Sequence, residues 1–185
     1  MSMMRKYTAY DYDDSLLSTE NQHLYFGYGM NTNIQGMATR CPGAECLGAA
    51  TLPNYRFVFR CHADVELEKD CWVDGVLWLI NDHHMKSLDR LEGFPSYYLR
   101  HKAFVEHEGE QKIAWIYTMR DQTYEAEPGE SYLRCCIEGY ESNGVPTDQI
   151  KDALRYAEIA GRAEDQLDQS WTPFGYPSGR EFNPL

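Results

Sequence analysis

Tyr25-Phe26-Gly27-Tyr28-Gly29-Met30-Asn31 is the stretch that decides how the chain is read. From His23 its front half is a β-type run of aromatic and aliphatic residues. Gly29 permits a turn, and Asn31 and Thr32 are placed to cap a short helical segment through Ala38. A strand that runs through glycine into a helical turn leaves several backbone N–H groups free and close together. That is a ready-made anion or oxyanion site. Any tight turn uses the same residues, so the stretch alone fixes a geometry and not a chemistry.

Downstream, Arg40-Cys41-Pro42-Gly43 is a loop, and strands are expected over residues 48–52 and 55–61, where Phe57 and Phe59 alternate with Val58 and Arg60. The charged segment from Ala63 to Asp70 reads as a loop. Cys71 to Ile80 is the strongest strand, with a continuously apolar end suited to burial on both faces. Asn81 or Asp82 caps a helix whose buried stripe is Met85, Leu88 and Leu91, and Gly93 and Pro95 end it. Two strands follow over 97–106 and 112–119, joined at Glu108-Gly109-Glu110. Helices are then expected over 129–143 and 148–162. Residues 1–22 read as an N-terminal extension, 23–162 as the domain, and 163–185 as an irregular tail packed on it. Strands followed by helices without regular alternation indicate an α+β fold, a small barrel or sheet with helices around it.

Bulk properties exclude several classes. A formal charge of −12, spread along the chain, repels a phosphate backbone, so no nucleic acid is expected as partner. No apolar run reaches the length of a bilayer span, and the polar N-terminus lacks the core of an export signal. The 6 cysteines contain no Cys-x-x-Cys pair, so they read as reduced thiols in a cytoplasmic protein. Cys61, His62, His83 and His84 lack the paired spacing of a zinc site, and no metal is expected.

Glu92 is the second odd feature. A carboxylate at a helix C-terminus opposes the macrodipole, and its neighbours Leu88, Leu91, Phe94, Tyr97 and Tyr98 are apolar or aromatic. Burial there raises a carboxyl pKa towards the range of a proton shuttle. An exposed, frayed helix end is the plainer account of the same residue.

Taken together and in order, these segments resemble the γ-glutamyl cyclotransferase-like family. Residues Tyr25 to Asn31 look like its Tyr-Phe-(Ala/Gly)-Tyr-Gly-Ser-Asn signature. Val76-Leu77-Trp78 and Leu88-Asp89-Arg90-Leu91-Glu92-Gly93 resemble its Gly-Val-(Val/Leu)-(Trp/Tyr) strand and Leu-Asp-x-x-Glu-Gly segment. Pro128-Gly129-Glu130-Ser131-Tyr132-Leu133, with Gly139 and Gly144-Val145-Pro146, is similar to a third motif. The likeness runs from Tyr25 to Tyr156.

The resemblance implies a mixed β-barrel of five to seven strands surrounded by helices. It implies a cofactor-independent C–N cleavage of a γ-glutamyl amine or peptide, in which the substrate's own α-amine attacks the γ-carbonyl and releases 5-oxoproline. Glu92 is the implied general acid/base. Tyr28, Gly29, Met30, Asn31 and Tyr132 are the implied substrate-binding residues, in a monomer or homodimer. Met30 departs from the family serine and removes a side-chain hydroxyl. A catalytically silent binding protein for a γ-glutamyl-like ligand, and a γ-glutamyl amide hydrolase or transferase, stay open beside the cyclotransferase.

Overall fold

The computed structural model describes residues 22–170, so the expected extension before Gln22 and the end of the tail beyond Ser170 lie outside the described residues. Five strands form a closed barrel in the order β1-β3-β2-β4-β5. The strands are β1 (Gln22–Gly27), β2 (Glu45–Arg60), β3 (His62–Asn81), β4 (Tyr98–His107) and β5 (Glu110–Met119). Neighbours pair antiparallel except β1 and β5, which meet in parallel at Tyr25 and Trp115. The helices are α1 (Ile34–Arg40), α2 (Asp82–Leu91), α3 (Glu130–Ser142) and α4 (Asp148–Ser170). The fold is thus α+β, a small mixed barrel with helices around it.

The apolar end of β3 behaves as its composition requires. Val76, Leu77, Trp78 and Ile80 are buried, with β1 on one side and β2 on the other. The charged segment expected as a loop is instead the first half of β3. Its pairing with β2 turns tightly at Cys61, and Tyr55 to Arg60 face Leu67 to His62 in register. Two of the charges, Asp64 and Glu66, are paired inside this hairpin, whereas Glu68, Lys69 and Asp70 face solvent. Arg60 donates to Asp64 at 2.7 Å and also to Glu66, while Arg56 reaches Glu66 and Glu125. Asp64, wholly buried, further accepts from the Met119 N–H at 2.8 Å and from Gln122 at 3.0 Å. Buried charge is tolerable when paired and hydrogen-bonded in this way.

Two more boundaries shift. Asn33, not Asn31 or Thr32, caps α1 by accepting the Gly36 N–H at 2.9 Å. Residues Met30 to Thr32 form a separate 3-10 turn, so Asn31 is free for another use. The last helix continues past Arg162 to Ser170, into part of the expected irregular tail.

Helix α2 starts where Asn81 accepts the His84 N–H at 3.0 Å, and His84 Nδ1 in return accepts the Asn81 N–H at 3.3 Å. With Nδ1 accepting, Nε2 carries the proton and donates to the Pro42 carbonyl at 2.8 Å. This reciprocal cap ties α2 to the α1–β2 loop and fixes its axis. Met85 and Leu88 bury the expected stripe, whereas Leu91 is exposed at the helix end. Gly93 takes φ +63° there, the left-handed conformation that ends a helix most cheaply at glycine.

Candidate functional site

The turn after β1 is clamped by α3 from outside the barrel. A Cβ on Gly139 would lie 2.3 Å from Thr32 Oγ1 and 2.6 Å from the Asn33 nitrogen, so only glycine lets α3 approach so closely. Tyr140, fully buried, donates its hydroxyl proton to the Tyr28 carbonyl at 2.6 Å, and Asn143 donates to the Thr32 carbonyl at 2.9 Å. In the turn itself the Thr32 N–H returns to the Gly29 carbonyl at 3.0 Å. The N–H groups of Met30 and Asn31 open this turn and have no carbonyl within it to bond.

Across a cavity of about 230 Å³ stands Glu92. Its residue position at the C-terminus of α2 is partly exposed, but the carboxyl turns inward and Oε1 accepts from Asn31 Nδ2 at 2.9 Å. The cavity is lined by Tyr28, Gly29, Met30, Asn31 and Tyr132 together with Glu92, so every residue expected at the site from the sequence falls on one pocket. The volume suits an amino-acid-sized group rather than a polymer. Burial pushes the Glu92 pKa from the ordinary 4.5 to about 7, against the opposing pull of the Asn31 hydrogen bond and the Arg40 charge. The sign and cause are those expected from its apolar neighbours.

The individual roles differ from one another. Tyr28 is buried and its hydroxyl donates to the Tyr117 carbonyl, so it joins the turn to β5 and presents its ring to the cavity. Tyr132 accepts the Ala63 N–H at 3.0 Å, which leaves its own hydroxyl proton to donate. Tyr98 completes that contact by donating to the Ala63 carbonyl at 2.7 Å. A Cβ on Gly29 would stand 2.8 Å from the Tyr132 oxygen and 2.9 Å from Ala63 Cβ, so side-chain-free backbone at position 29 is what allows this packing. Met30 lines the wall at the place of the family serine.

Several lining residues were not anticipated. Tyr25 accepts the second Asn31 amide proton at 3.0 Å. Tyr98 and Tyr117 reach the cavity from β4 and β5 only because the barrel closes. Burial first pushes all four pKa values up, followed by Glu92 for Tyr25, Tyr132 for Tyr98, the Cys136 thiol for Tyr132 and Asp89 for Tyr117. All four are therefore neutral donors at physiological pH. His62 and Tyr97 form the outer rim, with the Tyr97 hydroxyl 3.4 Å from His62 Nδ1. In the sequence Tyr25 reads only as part of a strand, and its role in the pocket has no separate signature there. Among the described residues no cluster of three or more His, Cys, Asp or Glu is placed to hold a metal ion. No helix among them is long and apolar enough to cross a membrane.

Comparisons with known proteins converge on this architecture. Over 164 residues the chain is 26% identical to mouse gamma-glutamylcyclotransferase, covering 78% of this chain and 85% of that one. The human protein of the same name is 24% identical over 168 residues, covering 80% and 87%. A solved structure named gamma-glutamyl cyclotransferase superposes with a TM-score of 0.63 at 25% identity, over 76% of this chain and 86% of that one. The model of the family described as gamma-glutamyl cyclotransferase, AIG2-like, matches residues 25–134, which hold the turn, Glu92 and Tyr132 alike. That match takes in more than half of the 185 residues, and the chain belongs to the γ-glutamyl cyclotransferase, AIG2-like family.

Proposed function

We propose that this protein cleaves a γ-glutamyl amide by intramolecular aminolysis, releasing 5-oxoproline and the free amine. The observation that carries the reading is the Glu92 carboxyl, tuned to about 7 and hydrogen-bonded to Asn31 inside the cavity. Such a group takes a proton at neutral pH and returns it as readily. Glu92 removes a proton from the substrate's α-ammonium, the freed amine forms a bond to the γ-carbonyl carbon, and the five-membered ring closes. As the original C–N bond of the tetrahedral intermediate breaks, Glu92 gives its proton to the leaving nitrogen; it then takes the second proton from the ring nitrogen, which leaves the neutral lactam N–H, and passes it to the released amine. No water enters the balance. The nucleophile is tethered in the substrate, so the protein's task is to fold it, shuttle a proton and stabilise the oxyanion.

In this reading the Met30 and Asn31 N–H groups and the Tyr132 hydroxyl face the substrate's anionic or developing anionic oxygens. Among the described residues the cavity lining contains no Lys or Arg, so these neutral donors carry the recognition. No cofactor takes part, and the chain works in the cytoplasm, a setting that suits cysteines free throughout the described residues. Incubation with a panel of γ-glutamyl peptides and amines, read by mass detection of 5-oxoproline, tests the proposal. Release of glutamate instead would identify a hydrolase. Met30 is the one observation that favours a binding-only descendant; for that reading the panel members would bind and none would be turned over.

A further inference from the structure

Arg40 ends α1 with its guanidinium turned back along the helix, and Nη1 donates to Asn31 Oδ1 at 3.2 Å. A guanidinium has no acceptor, so the atom of the Asn31 amide that faces it must be the oxygen. The nitrogen then faces the other way, and both its protons are used, one on Glu92 Oε1 at 2.9 Å and one on the Tyr25 hydroxyl at 3.0 Å. Asn31 is only 3% exposed, so its amide depends on these protein partners for most of its hydrogen bonding. Without Arg40 the amide could turn over and set its oxygen against the carboxyl.

The helix has made room for this reach. A Cβ on Gly36 would lie 2.5 Å from Arg40 Nη1 and 3.1 Å from Arg40 Cζ. Gly36 stands in the first turn of α1, directly where the guanidinium folds over it. The other groups that face Glu92 from packed elements are Tyr25, Tyr28, Tyr98, Tyr117 and Tyr132, with His62 on the rim. The tyrosines are neutral at working pH, so Arg40 is the permanent charge that acts on the carboxyl.

We propose that Arg40 is a positioning residue for Glu92, holding Asn31 in the one orientation that offers the carboxyl an N–H, and that Gly36 exists to let it do so. The functional consequence rests on the cyclotransferase reading. Both the donor and the charge favour the ionised carboxyl, so removing them makes Glu92 harder to ionise.

The test is a carbon-13 titration of the Glu92 side chain in the full-length protein without ligand, beside pH profiles of kcat/KM for γ-glutamyl-alanine. Arg40→Met should move the Glu92 midpoint up by about one pH unit. Arg40→Lys, which keeps the charge but loses the planar fork, should fall between. Gly36→Ala should move the midpoint upward too while leaving the thermal midpoint unchanged or higher, because alanine favours the helix. A purely structural role for these residues would lower stability and leave the titration where it is. An unmoved midpoint in both Gly36→Ala and Arg40→Lys overturns the inference, even if Arg40→Met fails to fold. A moved midpoint without turnover of any γ-glutamyl amide upholds the positioning and removes the proposed reaction; an unmoved midpoint with turnover does the reverse.

Discussion

Asn31 Nδ2 donates to Glu92 Oε1 at 2.9 Å although 61 residues separate them in the chain. The bond joins the turn after β1 to the end of α2, two elements that share no strand register. It also meets a carboxyl that would otherwise sit against tyrosine rings alone. Set against burial, this neutral donor and the Arg40 charge leave Glu92 close to half-ionised near pH 7, where a directly bonded cation would have locked it as carboxylate.

Replacing Glu92 with glutamine keeps the shape and the Asn31 contact but abolishes proton transfer. Loss of general acid/base catalysis is expected to lower 5-oxoproline formation by at least ~10²-fold. Circular dichroism should show an unchanged fold. Full activity in this variant would sink the mechanism.

The same substitution reveals itself in stability. Between the ordinary pKa of 4.5 and the folded value of about 7, the native chain holds a proton that the unfolded chain has released. Stability therefore falls as pH rises through that window, and Glu92→Gln removes the slope. The displacement bounds the difference at about 3 kcal/mol, from ~1.4 kcal/mol per pH unit. Screening at the part-exposed helix end should leave about 1–2 kcal/mol. Urea melts at pH 5 and pH 8 measure it; the variant should gain on the parent only at pH 8.

Gly29→Ala sets a methyl against the Tyr132 hydroxyl and Ala63. Ala63 is held at its N–H by Tyr132 and at its carbonyl by Tyr98, so it has nowhere to retreat. Overpacking of this kind is expected to cost about 1–3 kcal/mol, read as a lower denaturant midpoint at unchanged m-value.

Met30→Ser restores the hydroxyl of the family motif at a half-buried position. If that hydroxyl contacts the transition state, kcat/KM for a γ-glutamyl amide should rise, by up to ~10²-fold. A changed KM with constant kcat would instead assign position 30 to substrate selection.

The site was partly legible from local patterns. The Gly29 turn and the Gly93 stop announce themselves because glycine conformations are written one residue at a time. Glu92 was legible as a misplaced charge, and its burial followed from its neighbours. Asn31 was mistaken for a helix cap because Asn33, two residues on, competes for the same role and wins it. Arg40 and Tyr117 were not legible at all, and Tyr98 only as an aromatic neighbour of Glu92 along the chain. The first acts across a turn within its own segment, and the other two arrive only when β4 and β5 close the barrel. The charged half of β3 was misread for a related reason. Asp64 and Glu66 find arginines on the strand opposite, and a local window along the sequence does not see across a hairpin.

The closure of the barrel is uneven. Strands β1, β3 and β2 pair over long registers, as do β4 and β5, but β2 meets β4 at Thr51 and Glu106 alone, and β1 meets β5 at Tyr25 and Trp115 alone. In backbone pairing this is a three-stranded plate and a hairpin that meet at two short seams, tied besides by side chains such as Tyr28 on the Tyr117 carbonyl and Asp64 on the Met119 N–H, and the cavity lies at one seam. Amide exchange should accordingly divide the sheet, with the β4–β5 hairpin opening as a unit below the free energy of global unfolding.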